Sequence, residues 1–192
     1  MNCKLPPEVQ AYLEAVEADK PRACPEQHAL AAHIRRCFET EDLLVDTEQL
    51  RRYLSLSRYF PYKDLFLWEQ FLTALWMCTY TSDGRPRWKT LFSMVGRGAG
   101  KDGFIAFISM CATSPYNPVG SYNVDICANN EEQAMTPVLD LVNTLELPKN
   151  EAKLKRFYYH TKELVQGRKN RGVVKGRTNN PKGRDALRHG DL

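Results

Sequence analysis

A glycine-rich loop between two apolar segments constrains the fold of this chain more than any other stretch. The loop reads Gly96-Arg97-Gly98-Ala99-Gly100-Lys101-Asp102-Gly103, with apolar residues before it at 91–95 and after it at 104–108. This order predicts a strand, a loop and a helix. Successive backbone N–H groups of such a loop face one anion, and the helix dipole and the lysine add positive potential. Residues 96–103, named the phosphate loop below, are therefore predicted to bind phosphate as a P-loop does.

The phosphate loop departs from the form G-x-x-x-x-G-K-[ST] at two positions. Gly100 and Lys101 fit, whereas Val95 stands at the first glycine and Asp102 at the Ser or Thr that would touch magnesium. The motif alone leaves an incidental glycine-rich turn as an open alternative. The apolar run before the loop and the apolar helix after it favour phosphate binding, because the mechanism requires both.

Length and composition indicate a globular protein without a membrane segment. A chain of 192 residues can bury one core and carry a small helical appendage. No apolar run approaches the roughly 20 residues that a membrane-spanning helix needs, and the first residues do not read as a signal sequence. We therefore expect a cytoplasmic location.

The six cysteines include no C-x-x-C pair, which argues against a zinc site and a disulfide framework.

The charge is unevenly distributed along the chain. Residues 149–192 hold thirteen Lys or Arg and four Asp or Glu, whereas residues 1–148 hold fourteen and nineteen. A basic segment of this kind releases counterions when it binds a DNA backbone. It therefore suggests a second class of function, nucleic-acid binding without catalysis. A solvated terminus explains the same charge run, and both interpretations stay open.

The first part of the chain, residues 1–57, is predicted to be a small helical extension. Pro7 and Pro25 each open a helix. Asp46, with Gln49 three residues later, predicts a capping box at the start of a third.

The rest of the chain, residues 58–192, alternates between predicted strands and helices. An aromatic-rich helix carries Trp68 and Gln70, which either pack in the core or stack on and hydrogen-bond to an adenine. The further predicted segments are a turn at 82–86, a strand at 88–95, a helix at 100–111, a strand at 122–128, a helix from Asn130 through Leu145 and a basic helix at 151–159. They are followed by a hairpin or two short strands, at 163–165 and from 173 onwards with a turn at 167–170 between them, and by a loop at 177–184. The strand–helix–strand–helix order predicts a parallel sheet with right-handed crossovers.

Three motifs in this order resemble the large terminase subunit of tailed bacteriophages. They are residues 66–71, the phosphate loop and residues 125–134, and the resemblance runs from about residue 58 to the end. Members of that family package DNA into a preformed capsid with an N-terminal RecA-like ATPase and a C-terminal ribonuclease-H-like nuclease. The resemblance implies an α/β fold with a partial RecA-like P-loop domain, a parallel sheet flanked by helices, at residues 58–192.

The resemblance also implies roles for individual residues. Lys101 would bridge the β- and γ-phosphates, Arg97 would sense the γ-phosphate, and Asp102 would hold Mg²⁺. The implied nucleotide-binding set is Gly96, Arg97, Gly98, Ala99, Gly100, Lys101, Asp102, Gly103, Trp68 and Gln70. The implied cofactors are ATP and Mg²⁺. The implied partners are double-stranded phage DNA, the terminase small subunit and the portal protein, in the cytoplasm of the bacterial host.

Two features depart from the family pattern. The family's adenine glutamine usually follows the aromatic residue directly, but here Glu69 stands between Trp68 and Gln70, so which of the two contacts adenine stays open. Hydrolysis in the family also needs an Asp-Glu pair that closes an apolar strand. No such run follows Lys101, and residues 186–192 resemble its lead-in.

We therefore expect the sequence to end before this strand and before the nuclease domain. The polypeptide alone should then bind nucleotide weakly and hydrolyse ATP slowly or not at all. A disrupted prophage gene, a split gene and a fragment prepared for study all remain open explanations. A P-loop NTPase of another, helicase-like lineage is the remaining functional alternative.

Overall fold

The computed structural model describes residues 5–62 and 64–178, which form an α/β protein with seven α-helices and two sheets. The α/β class predicted from the sequence is confirmed. The lead-in at 186–192 and most of the loop expected at 177–184 lie outside the described residues. Within the described part, no helix combines the length and the apolar character needed to cross a membrane.

The described chain divides into two compact units. The first contains residues 5–54 and Leu65–Met94, and the second contains Ser55–Asp64 and residues 95–178. Each unit therefore combines two separate stretches of the sequence.

The first unit is mainly helical. Its helix α1 packs against α4, where the rings of Tyr12 and Phe71 stack with centroids 4.1 Å apart. Strands β1 and β2 form a small antiparallel sheet. The elements are α1 (Pro7–Glu17), α2 (Pro25–Thr40), β1 (Leu43–Val45), α3 (Thr47–Leu54), α4 (Leu67–Cys78) and β2 (Thr79–Thr81).

The predicted helix starts in the first unit are confirmed. Pro7 and Pro25 are the first residues of α1 and α2. The Asp46 Oδ1 atom accepts a hydrogen bond of 2.8 Å from the Gln49 backbone N–H, as expected of a cap. The Gln49 side chain does not complete a capping box: it donates to the Tyr53 hydroxyl, because the Asp46 N–H already donates to the Cys78 carbonyl.

The second unit is a four-stranded sheet with helices. Its strand order is β3-β6-β5-β4, in which β3 and β6 are parallel and the other two pairs are antiparallel. The elements are a 3-10 helix (Ser55–Tyr59), α5 (Lys101–Thr113), β3 (Val124–Ala128), α6 (Glu131–Glu146), α7 (Pro148–Leu154), β4 (Tyr158–His160), β5 (Leu164–Gly167) and β6 (Val173–Thr178). The sheet is thus mixed, and the prediction of a parallel sheet was wrong for its two antiparallel pairs.

The strand predicted at 88–95 is not formed. Residues 88–96 have no regular secondary structure, and the side chains of Phe92 and Met94 are each 89% exposed. A strand needs a neighbour that satisfies its backbone N–H and C=O groups, and none of the strands in the described residues pairs with this segment. The prediction failed because an apolar pattern does not specify a pairing partner.

The predictions for the helices of the second unit were largely correct. Helix α5 is buried over most of its length, and the Asn130 side chain caps α6 by accepting a 2.8 Å bond from the Gln133 N–H. The helix expected at 151–159 instead spans Pro148–Leu154. The last residues of the expected helix belong instead to strand β4. Tyr158 is buried there, and the Tyr158 hydroxyl donates to the Met110 carbonyl.

Candidate phosphate-binding site

Two glycines of the phosphate loop have a left-handed backbone conformation. Gly98 and Gly100 have φ angles of +80° and +87°, in the left-handed region where a Cβ atom causes strain. Gly100 is the N-cap of α5, and its carbonyl accepts the first helical hydrogen bond, 2.9 Å from the Phe104 N–H. Two of the loop glycines therefore permit the exposed turn that leads into α5.

The loop ends at the positive end of a helix. The amides of Lys101, Asp102 and Gly103 precede the Phe104 N–H, so they have no acceptor within α5. The aligned peptide dipoles of a helix place about half a positive charge at this end. The backbone at the start of α5 can therefore donate to an anion.

Lys101 and Asp102 form an ion pair at this helix start. The Lys101 Nζ atom donates to the Asp102 Oδ1 atom at 2.6 Å, and both side chains are well exposed to solvent. Ion pairs of this exposed kind contribute at most about 1 kcal/mol, so an incoming phosphate or cation can displace either partner. Arg97 is exposed in the loop and makes no hydrogen bond or ion pair with the described residues.

A second carboxylate, Asp140 on α6, lies within electrostatic reach of Asp102. Burial raises the pKa of Asp140, and the negative charge of Asp102 raises it further. Magnesium binds one or two carboxylates together with substrate phosphates and water. The described residues contain no cluster of three or more side chains suited to a metal ion. The donors therefore fit Mg²⁺ only in company with phosphate oxygens and water.

Tyr62 contacts the first turn of α5. Its hydroxyl donates to the Gly103 carbonyl at 2.9 Å, and a Cβ atom built on Gly103 would lie 3.3 Å from the Tyr62 ring. Neither Tyr62 nor Asp140 could be recognised from the sequence, because both lie far from the loop along the chain. The glycine at 103 is explained by the close approach of the Tyr62 ring.

The predicted adenine residues lie on α4 in the first unit, whereas the phosphate loop belongs to the second. Trp68 is half-buried, and the Gln70 Nε2 atom donates to the Leu65 carbonyl at 2.9 Å. Glu69 is 4% exposed and accepts a 2.8 Å hydrogen bond from the Phe66 N–H. Glu69 thus caps α4, and the adenine role of Trp68 and Gln70 stays a prediction.

Comparisons with protein-family models, with curated proteins and with solved structures found no significant match to this chain. The function of the site is therefore inferred from the sequence motifs and from the geometry of the loop.

Proposed function

We propose that the phosphate loop binds the phosphates of ATP, and that the chain is the nucleotide-binding part of a terminase large subunit. The observation that carries this proposal is the pair of left-handed glycines, Gly98 and Gly100, directly before the buried helix α5. With Lys101 as the first residue of the helix, backbone amides, helix dipole and ammonium group act on the same anion.

Each loop residue has a role in this proposal. The amides of Gly98 and of residues 100–103 donate to phosphate oxygens, whereas the Ala99 N–H donates to the Gly96 carbonyl within the loop. Lys101 moves from Asp102 to the β- and γ-phosphates. Arg97, which has no partner among the described residues, neutralises charge on the γ-phosphate. Asp102 binds Mg²⁺ directly or through water.

The wider function follows from the order of the three motifs. In a complete terminase, ATP binding at this loop powers translocation of double-stranded DNA, together with the small subunit and the portal protein, in the host cytoplasm. The proposed domain is a partial RecA-like fold, and the parallel pairing of β3 with β6 supports it. A helicase-like NTPase would use the same loop chemistry.

Nucleotide binding tests the proposal. We expect a fluorescent ATP analogue with Mg²⁺ to bind the wild-type chain, and Lys101→Ala to bind about tenfold or more weakly, because one charge-assisted hydrogen bond contributes about 1.5–3 kcal/mol. Lys89→Ala is the matched control, since Lys89 is an exposed lysine outside the loop. Equal affinity of the wild type and Lys101→Ala would contradict the proposal.

The magnesium role of Asp102 is tested by measuring the same binding with and without Mg²⁺. We expect Asp102→Asn to bind Mg²⁺-free ATP more tightly than the wild type, because it removes a negative charge beside the triphosphate and releases Lys101. We expect the variant to gain less from added Mg²⁺. For each protein, the ATP dissociation constant without Mg²⁺ is divided by the one with Mg²⁺. If this ratio is the same for Asp102→Asn and the wild type, Asp102 does not hold the metal.

A further inference from the structure

The turn between β5 and β6 carries three exposed cations beside one buried asparagine. Arg168, Lys169 and Arg171 are exposed, whereas Asn170 between them is only 8% exposed. The Asn170 Nδ2 atom donates to the carbonyls of Ala112 and Ser114 at 3.0 and 3.1 Å, and its Oδ1 atom accepts from the Gly172 N–H at 3.0 Å. This turn, residues 168–171, is named the basic turn. The hydrogen bonds of the buried Asn170 side chain therefore anchor the turn that carries the three exposed cations.

The basic turn borders a pocket of about 220 Å³. The Arg168 Nε atom donates to the carbonyls of Lys155 and Tyr158 at 2.9 and 3.1 Å, and the guanidinium carbon lies 5.9 Å from the centre of the Tyr159 ring. These contacts fix the position of the guanidinium beside the end of α7 and strand β4. The pocket lining includes Glu151, Lys155, Tyr159, His160 and Arg168.

The surrounding surface carries uncompensated positive charge. Residues 149–178 contain ten Lys or Arg and two Asp or Glu. Of these ten, Arg177 is the one cation with a carboxylate within 4.0 Å in the described part of the chain, paired with Asp125 at 2.7 Å. Clustered like charges repel each other, and a bound polyanion offsets that repulsion.

We propose that the basic turn and this pocket bind a single strand of nucleic acid. Backbone phosphates lie against Lys155, Arg168 and Lys169, and a base stacks on Tyr159, whose side chain is 47% exposed. A groove that combines cations with an exposed aromatic ring is typical of single-strand binding, because every base has a π-face. The exposed Tyr159 ring favours a nucleic acid over an acidic protein, because an acidic protein would bind through the cations alone.

Two acidic groups limit where the phosphates lie. Glu151 lines the pocket on the α7 side, and Glu146 is 3.7 Å from the His160 Nδ1 atom. The phosphates therefore lie towards the basic turn. This site is separate from the phosphate loop, so the inference goes beyond ATP binding and does not depend on it.

Fluorescence anisotropy with a labelled oligothymidylate, over a series of salt concentrations, tests the charge part of the proposal. We expect Lys155→Gln and Lys169→Gln each to weaken binding and to reduce the slope of log K against log salt by about 0.7. Arg51→Gln removes an exposed cation from α3 and should leave the slope unchanged. Equal slopes in the wild type and both lysine variants would overturn the inference.

The same assay tests the stacking part. We expect Tyr159→Ala to weaken oligothymidylate binding about fivefold or more and Tyr159→Phe to bind as the wild type does. A duplex of equal length and polyglutamate are the competing ligands. Equal binding of the duplex, or equal competition by polyglutamate, would overturn the single-strand proposal. Lys101→Ala should bind the oligonucleotide normally, so failure of ATP binding and failure of this site are distinguishable.

Discussion

Asp102 neutralises the positive charge of Lys101 in the phosphate loop. Its carboxylate accepts a hydrogen bond from the Lys101 ammonium and also raises the pKa of Asp140 across the helix contact. A serine or threonine at this position would leave the lysine unneutralised. In the proposed ATP complex, Lys101 would exchange its ion pair with Asp102 for one with phosphate, and we expect this exchange to make the affinity sensitive to Mg²⁺ and to salt.

Glu69 gives the first unit a pH-dependent stability. Burial raises the pKa of this carboxyl, and the hydrogen bond from the Phe66 N–H opposes the shift by a smaller amount. A raised pKa favours the protonated form in the folded chain. Its stabilisation is therefore fully present below the unfolded value of about 4.3 and is lost as the pH rises through the folded pKa.

We expect Glu69→Gln, which cannot ionise, to gain free energy of unfolding relative to the wild type between about pH 4 and about pH 7. Urea denaturation at the two pH values measures this difference. Glu39→Gln, at an exposed position on α2, should show no such trend. If the difference in free energy of unfolding between Glu69→Gln and the wild type stays constant with pH, burial does not raise the pKa of Glu69.

At the scale of elements, the β5–β6 hairpin depends on one buried side chain. Asn170 joins the hairpin to the end of α5 through the carbonyls of Ala112 and Ser114. Gly167 is also constrained, since a Cβ atom there would lie 2.1 Å from the Thr113 carbonyl oxygen. The hairpin can therefore approach α5 only with glycine and asparagine at these positions.

We expect Asn170→Ala to lower the free energy of unfolding by about 3 kcal/mol, because it removes the hydrogen bonds to the Ala112 and Ser114 carbonyls and leaves the Gly172 N–H without the Asn170 acceptor. Chemical denaturation monitored by tryptophan fluorescence provides the measurement. Asn143→Ala is the control, since Asn143 is exposed on α6 and helices tolerate alanine well. Similar costs for the two variants would mean that the Asn170 hydrogen bonds do not stabilise the fold.

At the scale of the whole molecule, the chain enters the second unit twice. Ser55–Asp64 belongs to the second unit, where the Phe60 ring meets the Phe107 ring with centroids 6.0 Å apart and the Tyr59 carbonyl accepts from the Asn150 amide. The chain passes to the second unit again after Met94, within the exposed segment that lacks secondary structure.

Limited proteolysis tests this arrangement. We expect chymotrypsin to cleave first after Phe92, because its side chain is 89% exposed in a segment without regular structure. The two fragments should co-elute in native gel filtration and separate in urea, because the N-terminal fragment keeps Ser55–Asp64. Phe92→Ser should remove this cut. Fragments that separate without denaturant would contradict the assignment of this segment to the second unit.

The sequence alone determined the features that depend on near neighbours. The caps at Asp46 and Asn130 each join a side chain to an amide three residues later. These interactions form within one turn of chain. Residue type and spacing are therefore sufficient to predict them.

Only the tertiary structure decided which distant segments meet. The apolar pattern at 88–95 resembled a strand but found no pairing partner in the described residues, while Tyr158–His160 became a strand beside β5. Tyr62 contacts the first turn of α5, and Asp140 on α6 lies within electrostatic reach of Asp102. Strand pairing and contacts between helices are set by the burial of surfaces from separate parts of the chain, and a local pattern does not contain that information.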